Sequence, residues 1–487
     1  MKYPCRESLQ QLHLQIGNDC LLPVSSHLFD ALLYEREHES LQSRILELCP
    51  PYLWHQGSHK LACPRPILVT GQHKEKLSRL HGALVTAITD IVERWWTDPN
   101  ARFSAQQWID KEHLPYRNQV GSWRPDFLVE DNTTDGEVAE NFRITEINAR
   151  FSFNGFMHQA YGQLGLKNLG VGENGVVPAT KPADTLKGML KLLRLDQPLH
   201  LLKGQEPGID IHMVIDFLHR ELGISPRLVS PADLRILPDP QSSSKFKLYC
   251  VVKNTSPLCD SALPLRITDD GMAIEEVHQI GLELHQHELF GMPTEMLRQI
   301  SLRCFNDMRT ILLVHDKRML GIVKQEIPDL RRRGILTPVQ ARALENGIAD
   351  TIIPGSTELK DLIRHSILDD RELKNEYLLK PIRGGKGAGI IFGDEMSPPK
   401  WIGTLARLCS PYPVSGATTY VVQRRVHARL YEVVLKPCGE LNQYPLIGTY
   451  HSVHGQFLGF GIWRSSPQRI CAVSNGGSWM CTVMKEC

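Results

Sequence analysis

Four polar side chains with period-two spacing stand out between residues 123 and 155, where the chain reads WRPDFLVEDNTTDGEVAENFRITEINARFSFNG. The stretch predicts two extended segments joined by a polar turn. Arg124 and Asp126 share one face of the first segment, and Glu146 and Asn148 share one face of the second. A hairpin would bring all four together. Oxygen ligands beside an arginine predict a Mg²⁺ site and the phosphates that the ion carries.

A glycine-rich segment, YLLKPIRGGKGAGIIFG, lies more than 200 residues later and predicts a strand, a loop and a second strand. Glycines allow backbone N–H groups to approach a phosphate closely, and the two lysines supply charge. The loop is not a Walker A motif, because a glycine and not Ser or Thr follows its second lysine. A plain hairpin turn with solvated lysines is the alternative. The residues predicted to hold phosphate are Lys380, Gly384, Gly385, Lys386 and Gly387.

Two further segments could complete a nucleotide site. The apolar strand TTYVVQRRV turns polar at Gln423, which suits the edge of a purine, and Glu432 could hold a ribose hydroxyl. Arg464 could offset charge on a phosphoryl group, and the glycines after Asn475 could bring backbone donors to it. A plain sheet strand, a surface arginine and a turn are the alternatives.

The intervening sequence predicts the elements that position these residues. Leucine, isoleucine and tryptophan recur at three and four residues between about Lys74 and Trp96, which predicts a helix. Short apolar runs predict strands at residues 64–71, 210–216 and 309–316, the second within a β-α-β rhythm. The last 110 residues alternate between apolar strands and glycine turns, which predicts a β-rich region.

The 487 residues carry a formal net charge of +1, with 42% hydrophobic and 22% charged residues. This is the composition of a globular protein and gives no reason to expect nucleic acid or a membrane as partner. No run approaches about 18 apolar residues, and the start lacks the apolar region of a secretory signal. The 12 cysteines form no CxxC pair, which favours reduced thiols in a cytoplasmic protein.

Together these segments resemble the ATP-grasp superfamily of carboxylate–amine ligases, which includes D-alanine–D-alanine ligase, glutathione synthetases and L-amino acid ligases. The R-x-D strand of that family matches Arg124-Pro-Asp126, and its E-I-N-A-R strand matches Glu146 to Arg150. The nucleotide-binding hairpin matches LLKPIRGGKGAGI, with Lys380 in the place of a phosphate-binding lysine. The looser matches are Lys317 to a second phosphate-binding lysine, Gln423 to Val426 to the adenine strand, Glu432 to the ribose acid, and Arg464 with Asn475-Gly476-Gly477 to the last ATP-binding strands.

The order of these motifs departs from the family, because the metal strands normally follow the nucleotide-binding hairpin. The resemblance therefore implies an α/β (α+β) ATP-grasp fold, circularly permuted, in which the two ends of the chain meet. Three regions are predicted. They are an N-terminal region with the metal strands at 1–204, a Rossmann-like substrate domain at 205–310, and the nucleotide-binding lobes at 311–487.

The resemblance implies an ATP-dependent ligase that joins a carboxylate, expected to be an amino acid, to an amine through an acyl phosphate. ATP and Mg²⁺ are the expected cofactors, and a homodimer is expected by analogy. Asp126, Glu146 and Asn148 are expected to hold the metal. Lys317 and Lys380 are expected on the phosphates, and Arg124, Arg150 and Arg464 on the transferred phosphoryl group and the carboxylate.

Three alternatives stay open at this point. A phosphotransferase of the same architecture would stop after phosphorylating its substrate, and a nucleotide-binding regulator would bind ATP without turnover. A dinucleotide oxidoreductase is disfavoured, because the central region lacks G-x-G-x-x-G after its first strand. The sequence shows no recognisable Ser-His-Asp or Cys-His arrangement, as expected for a reaction without a covalent enzyme nucleophile.

Overall fold

The computed structural model describes residues 8–14, 22–24, 30–97, 116–134, 137–173, 175–242, 244–253, 265–368, 372–410, 418–436 and 439–486. Eleven α-helices are named along this part of the chain. They are α1 (Ala31–Leu48), α2 (Gly71–Thr97), α3 (Phe156–Leu166), α4 (Pro182–Leu190), α5 (Ile211–Leu222), α6 (Gln286–Phe290), α7 (Thr294–Ser301), α8 (Arg318–Arg332), α9 (Pro338–Gly347), α10 (Thr357–Leu368) and α11 (Pro398–Arg407).

The strands of the described residues fall into several separate sheets. In chain order they are β1 (Gln10–His13), β2 (Leu22–Pro23), β3 (Ile67–Leu68), β4 (Ser122–Thr134), β5 (Glu137–Asn148), β6 (Val176–Pro178), β7 (His200–Lys203), β8 (Arg227–Val229), β9 (Leu234–Pro238), β10 (Phe246–Val251), β11 (Arg266–Ile267), β12 (Ala273–Glu276), β13 (Ile280–Glu283), β14 (Thr351–Ile352), β15 (Tyr377–Pro381), β16 (Ile391–Phe392), β17 (Tyr420–Arg424), β18 (Leu430–Val434), β19 (Leu441–Pro445), β20 (Ile447–Val453), β21 (Gln456–Ser465), β22 (Ser478–Met480) and β23 (Thr482–Lys485).

The central sheet joins early and late parts of the chain in the order β22-β21-β20-β4-β5. The pairing of β20 with β4 is antiparallel and sets Thr449 opposite Asp126. A second sheet also pairs an early strand with a late one, because β23 runs parallel to β3 with Thr482 opposite Ile67. Early and late strands are therefore neighbours in two sheets, as expected for the circularly permuted order of the motifs.

A smaller antiparallel sheet, in the order β14-β17-β15-β16, carries the glycine-rich hairpin. Helices α10 and α11 cover it through a separate cluster of buried side chains that includes Leu359, Trp401 and Leu405. This sheet and its two helices form a small lobe, whose core is distinct from the one beneath the central sheet. A lobe with its own core can change its position relative to the central sheet as a unit.

A parallel sheet in the order β13-β7-β8 has α5 as the crossover between β7 and β8, and β7 lies just before the region predicted at 205–310. The prediction of a strand at 210–216 is wrong, since Ile211 begins α5 and the strand lies earlier, from His200. Ile211, Val214 and Leu218 are buried at helical spacing. The whole of α5 therefore shows a 3.6-residue period, which the seven residues 210–216 are too few to reveal.

The predicted strand at 309–316 is also wrong. Thr310–Val314 forms a single π-helical turn, and all five residues are buried. A short apolar run that is buried on all sides has no periodicity by which to distinguish a helix from a strand. The turn leads directly to His315 and Lys317, and π-helical turns are often found beside functional sites.

The predicted helix at 74–96 is confirmed by α2, whose Leu77, Leu84, Ile88 and Ile91 are fully buried. They pack in the largest core cluster, which extends beneath the central sheet to Phe127. Within the described residues, no helix combines the length and apolar character needed to cross a membrane. The described cysteines are free of disulfides.

Candidate active site

The hairpin of β4 and β5 has the predicted register. Arg124 lies opposite Asn148, and Asp126 lies opposite Glu146. The amide nitrogen of Asn148 donates to Asp126 Oδ1 over 3.1 Å and lies 3.5 Å from Glu146 Oε1. Period-two alternation therefore aims the two carboxylates and the amide at one point.

The late strand β21 brings Arg464 to the same point. Ile447 of β20 is paired with Arg464 on one side and with Leu128 of β4 on the other. The guanidinium of Arg464 donates a hydrogen bond to Asp126 Oδ2. Both side chains are largely buried, with 12% and 6% of their surface exposed, so this contact is an interior ion pair.

Two lysines from other segments of the chain approach the hairpin. Lys317, just before α8, has its Nζ 3.5 Å from Glu146 Oε2 and donates to the Gly384 carbonyl over 2.7 Å. Lys380, on β15, donates to the Thr145 carbonyl over 3.3 Å. The ammonium groups of Lys317 and Lys380, both named from the sequence, thus lie at the same acidic hairpin.

The cations determine the protonation states of the hairpin. Burial by itself would raise the pKa of Glu146, but Lys317, Lys380 and Arg464 outweigh it and lower this pKa to about 2. Burial lowers the pKa of Lys380 to about 8, although Glu146 acts in the opposite direction. Glu146 is therefore an anion throughout the physiological range, whereas Lys380 loses its charge in mildly alkaline solution.

A cavity of about 670 Å³ is lined by most of these groups, although Lys317 is outside its lining. The glycine-rich hairpin and strands of the central sheet both contribute to its lining. The apolar residues of the lining include Leu128, Leu378, Ile390, Phe392, Val426 and Leu430. A cavity of this size, with apolar walls and a few convergent charges, suits a small-molecule ligand.

The glycine-rich segment forms the predicted hairpin, with Leu378 opposite Phe392. Lys386 and Gly387 line the cavity, and the Gly384 carbonyl accepts from Lys317. Gly387 has a φ of +74°, and a Cβ there would lie 2.2 Å from Ile470 Cγ2. The backbone therefore needs glycine at this position for both its conformation and its close approach.

Other predicted site residues either bind within the protein or lie outside the cavity lining. Gln423 and Val426 line the cavity, but the Gln423 amide nitrogen donates to Thr145 and Thr351. Arg150 is outside the lining and pairs with Glu206 at 3.3 Å. Glu432, Asn475 and Gly385 are also outside the lining, and the first two are exposed. Gln423 therefore contacts the acidic hairpin through its amide, whereas the recorded contacts join none of Arg150, Glu432, Asn475 and Gly385 to Asp126 or Glu146.

Three residues of the cavity lining were not predicted from the sequence. They are His55, Ser58 and His158. His55 and Ser58 come from a 3-10 turn at His55–Leu61, and His158 lies on α3. They belong to no recognisable motif and are about 100 residues apart along the chain, so neither spacing nor periodicity could group them.

The donor set fits Mg²⁺ and phosphate. Two ionisable oxygen ligands and an amide are the groups that this cation accepts. Four cations, Arg124, Lys317, Lys380 and Arg464, face two carboxylates, Asp126 and Glu146, which leaves two positive charges in excess. The buried Nε of Arg464 has no hydrogen-bond partner among the described residues. An anion would satisfy both the charge and this unpaired donor.

Comparisons with known proteins agree with this geometry. Residues 80–313 match the family model described as the AnkG N-terminal domain. The "ATP-grasp enzyme ankG" of Aspergillus thermomutatus is 30% identical over 476 residues, covering 96% of this chain and 98% of that protein.

A solved structure shows the same fold. The glutathione synthetase-like effector GSS30 of Globodera pallida, in its apo form, superposes with a TM-score of 0.52 at 13% identity. The match covers 93% of this chain and 97% of the effector. The similarity to the curated relative extends over nearly the full length of both proteins, and the chain therefore belongs to the family of ATP-grasp enzymes.

Proposed function

We propose that this chain is an ATP-dependent carboxylate–amine ligase, which forms an amide bond through an acyl phosphate and releases ADP and phosphate. Membership of the ATP-grasp enzymes supports the use of ATP and Mg²⁺ in general. The substrates proposed are a small carboxylic acid, such as an amino acid, and a small amine.

One observation carries the proposal. The acidic hairpin, Arg124, Arg464 and Lys380 line one cavity together with apolar side chains, and Lys317 contacts Glu146 beside it. Acidic ligands alone would favour a metal, and cations alone would favour an anion. Both sets together support a metal-bound polyphosphate.

The chain's own residues would act mainly by position and charge. Lys317 and Lys380 neutralise phosphate oxygens, and Arg124 and Arg464 offset charge on the phosphoryl group as the substrate carboxylate attacks it. Asp126, Glu146 and Asn148 would hold Mg²⁺, which supplies further positive charge on the phosphates. The glycine-rich hairpin excludes water from the acyl phosphate by closing over the cavity.

An ADP-release screen tests the proposal. Purified protein is given ATP, Mg²⁺ and pooled amino acids and polyamines, and the active pool is analysed by mass spectrometry. We expect ADP, phosphate and a product whose mass is that of one acid plus one amine minus water.

Two other outcomes would contradict the ligase. A product that retains the phosphoryl group would make the protein a phosphotransferase. ATP binding without ADP release in every pool would make it a nucleotide-binding regulator.

A further inference from the structure

Three polar side chains form a continuous hydrogen-bonded chain at the wall of the cavity. Ser58 Oγ lies 2.8 Å from His158 Nε2, and His158 Nδ1 lies 2.8 Å from Asp210 Oδ1. Because a carboxylate only accepts hydrogen bonds, Nδ1 carries the imidazole proton and Nε2 accepts the proton of the Ser58 hydroxyl. With its proton on Nδ1, the imidazole presents the lone pair of Nε2 to the serine and can accept a proton there.

The chain of contacts reaches the cavity. Ser58 and His158 line the cavity together with Arg124. Gly155 begins the turn that leads into α3, and a Cβ there would lie 3.4 Å from Arg124 Nη1. Gly155, three residues before His158, thus lies beside Arg124, which lines the same cavity.

Aromatic rings fix the imidazole in place. The ring of Trp54 packs edge-on to His158 with centroids 5.0 Å apart, and Trp479 packs edge-on at 5.8 Å. The indole nitrogen of Trp479 also donates to the Ser58 carbonyl over 2.8 Å. The ionisable groups that interact with the imidazole or its carboxylate include His55, His451, Arg124 and the buried carboxyl of Glu283.

The side chain of Asp210 does not cap its helix but makes this contact. It stands at the N-cap of α5, yet its side chain accepts no hydrogen bond from that helix. Its oxygens accept instead from His158 and from the Met157 N–H over 2.9 Å. Asp30, at the N-cap of α1, shows the usual alternative, because it accepts from Leu32 and Leu33.

The carboxylate remains charged despite its burial. Burial would raise the pKa of Asp210, but the hydrogen bonds from His158 and Met157 more than compensate and lower it below its usual value. A permanent anion behind Nδ1 stabilises the imidazolium that forms when Nε2 takes up a proton.

We propose that Ser58, His158 and Asp210 form a proton relay for the amine substrate, a role that rests on the proposed ligase function. The amine nitrogen attacks the carbonyl of the acyl phosphate, a C–N bond forms, and the C–O bond to phosphate breaks with its electron pair leaving on the phosphate. The proton lost by the nitrogen passes to Ser58 Oγ as the hydroxyl proton passes to His158 Nε2. Asp210 balances the charge of the resulting imidazolium, which returns the proton to water after product release.

A comparison of two nucleophiles tests the relay. Hydroxylamine attacks acyl phosphates with little need for a base, whereas an amine must be deprotonated. Each protein is given ATP, Mg²⁺ and the pooled amino acids and polyamines, with and without hydroxylamine. Amide is measured by mass spectrometry and hydroxamate by its colour with ferric iron. We expect Ser58→Ala and His158→Gln to lower amide formation on the order of 10²-fold, and the ratio of amide to hydroxamate to fall at least about tenfold.

The matched control is His219→Gln, an exposed histidine on α5 outside the cavity, for which the ratio should equal that of the wild type. Equal loss of both products in His158→Gln would overturn the relay and leave a structural role. An acyl group found on the Ser58 peptide of the wild type would also overturn it, since the serine would then be a nucleophile. Wild-type protein that forms neither ADP nor hydroxamate would refute the ligase itself, a result distinct from the other two.

Discussion

Arg464 donates a hydrogen bond to Asp126, although 338 residues separate them along the chain. The contact spans from β21 across β20 to β4. It joins the late strands to the acidic hairpin, so the charge balance of the hairpin depends on a residue from the far end of the sequence.

Replacement of Arg464 by glutamine should therefore lower the free energy of unfolding. Loss of one partner leaves a buried carboxylate with less compensation, which costs about 3 kcal/mol in the free energy of unfolding. Urea unfolding should show Asp126→Asn/Arg464→Gln to be less destabilised than the sum of the single variants. Strict additivity would mean that the pair is not coupled.

Glu146→Gln should lower the rate of ADP release on the order of 10²-fold, because a preorganised negative charge is lost at the proposed metal site. Circular dichroism should show a folded protein. Glu345→Gln is the matched control, since Glu345 is exposed on α9, which packs against β5. Near-normal turnover of Glu146→Gln would refute the assignment of Glu146 as a metal ligand.

The affinity for ATP should fall in mildly alkaline solution. The pKa of Lys380 is lowered to about 8, so the ammonium is charged below that pH and neutral above it. A neutral lysine attracts phosphate less, and kcat/KM for ATP, which reports the free enzyme, should fall as the pH rises through about 8. Lys380→Arg keeps its charge over this range, and the same decline in that variant would assign it to another group.

Gly387→Ala should weaken ATP binding about tenfold or more, since the residue needs a positive φ and its Cβ would meet Ile470. Gly385 is in the same loop, has no positive φ, and a Cβ there meets no atom within 4 Å. Calorimetric titration with ATP should therefore show a smaller loss for Gly385→Ala. Equal losses would mean that any added methyl group disturbs the loop.

The acidic hairpin was predictable because its pairing is local. β4 and β5 are neighbours in the chain, and alternation alone determines which side chains share a face. The placement of Arg464 needed knowledge of which distant strands pair, and only the family resemblance supplied it. Where the apolar runs were short, as at Thr310–Val314, the sequence held too few residues to distinguish helix from strand.

The relay residues were not predictable for a different reason. Ser58, His158 and Asp210 lie in three segments that meet only through tertiary packing, and each type is common elsewhere in the chain. The strand of Gln423 was predicted correctly, but its amide nitrogen donates hydrogen bonds within the protein, to Thr145 and Thr351. A sequence identifies the strand on which a side chain lies, whereas its partners depend on neighbouring segments.

The pairing of early and late strands also has a consequence for biosynthesis. At a ribosomal rate of about 5–20 residues per second, roughly 17–70 seconds pass between the synthesis of Asp126 and that of Arg464. During that interval β4 lacks its sheet partner β20 and exposes an unpaired edge. The nascent chain therefore exposes this edge until β20 has been synthesised, and the acidic hairpin lacks its partner Arg464 for the whole of that interval.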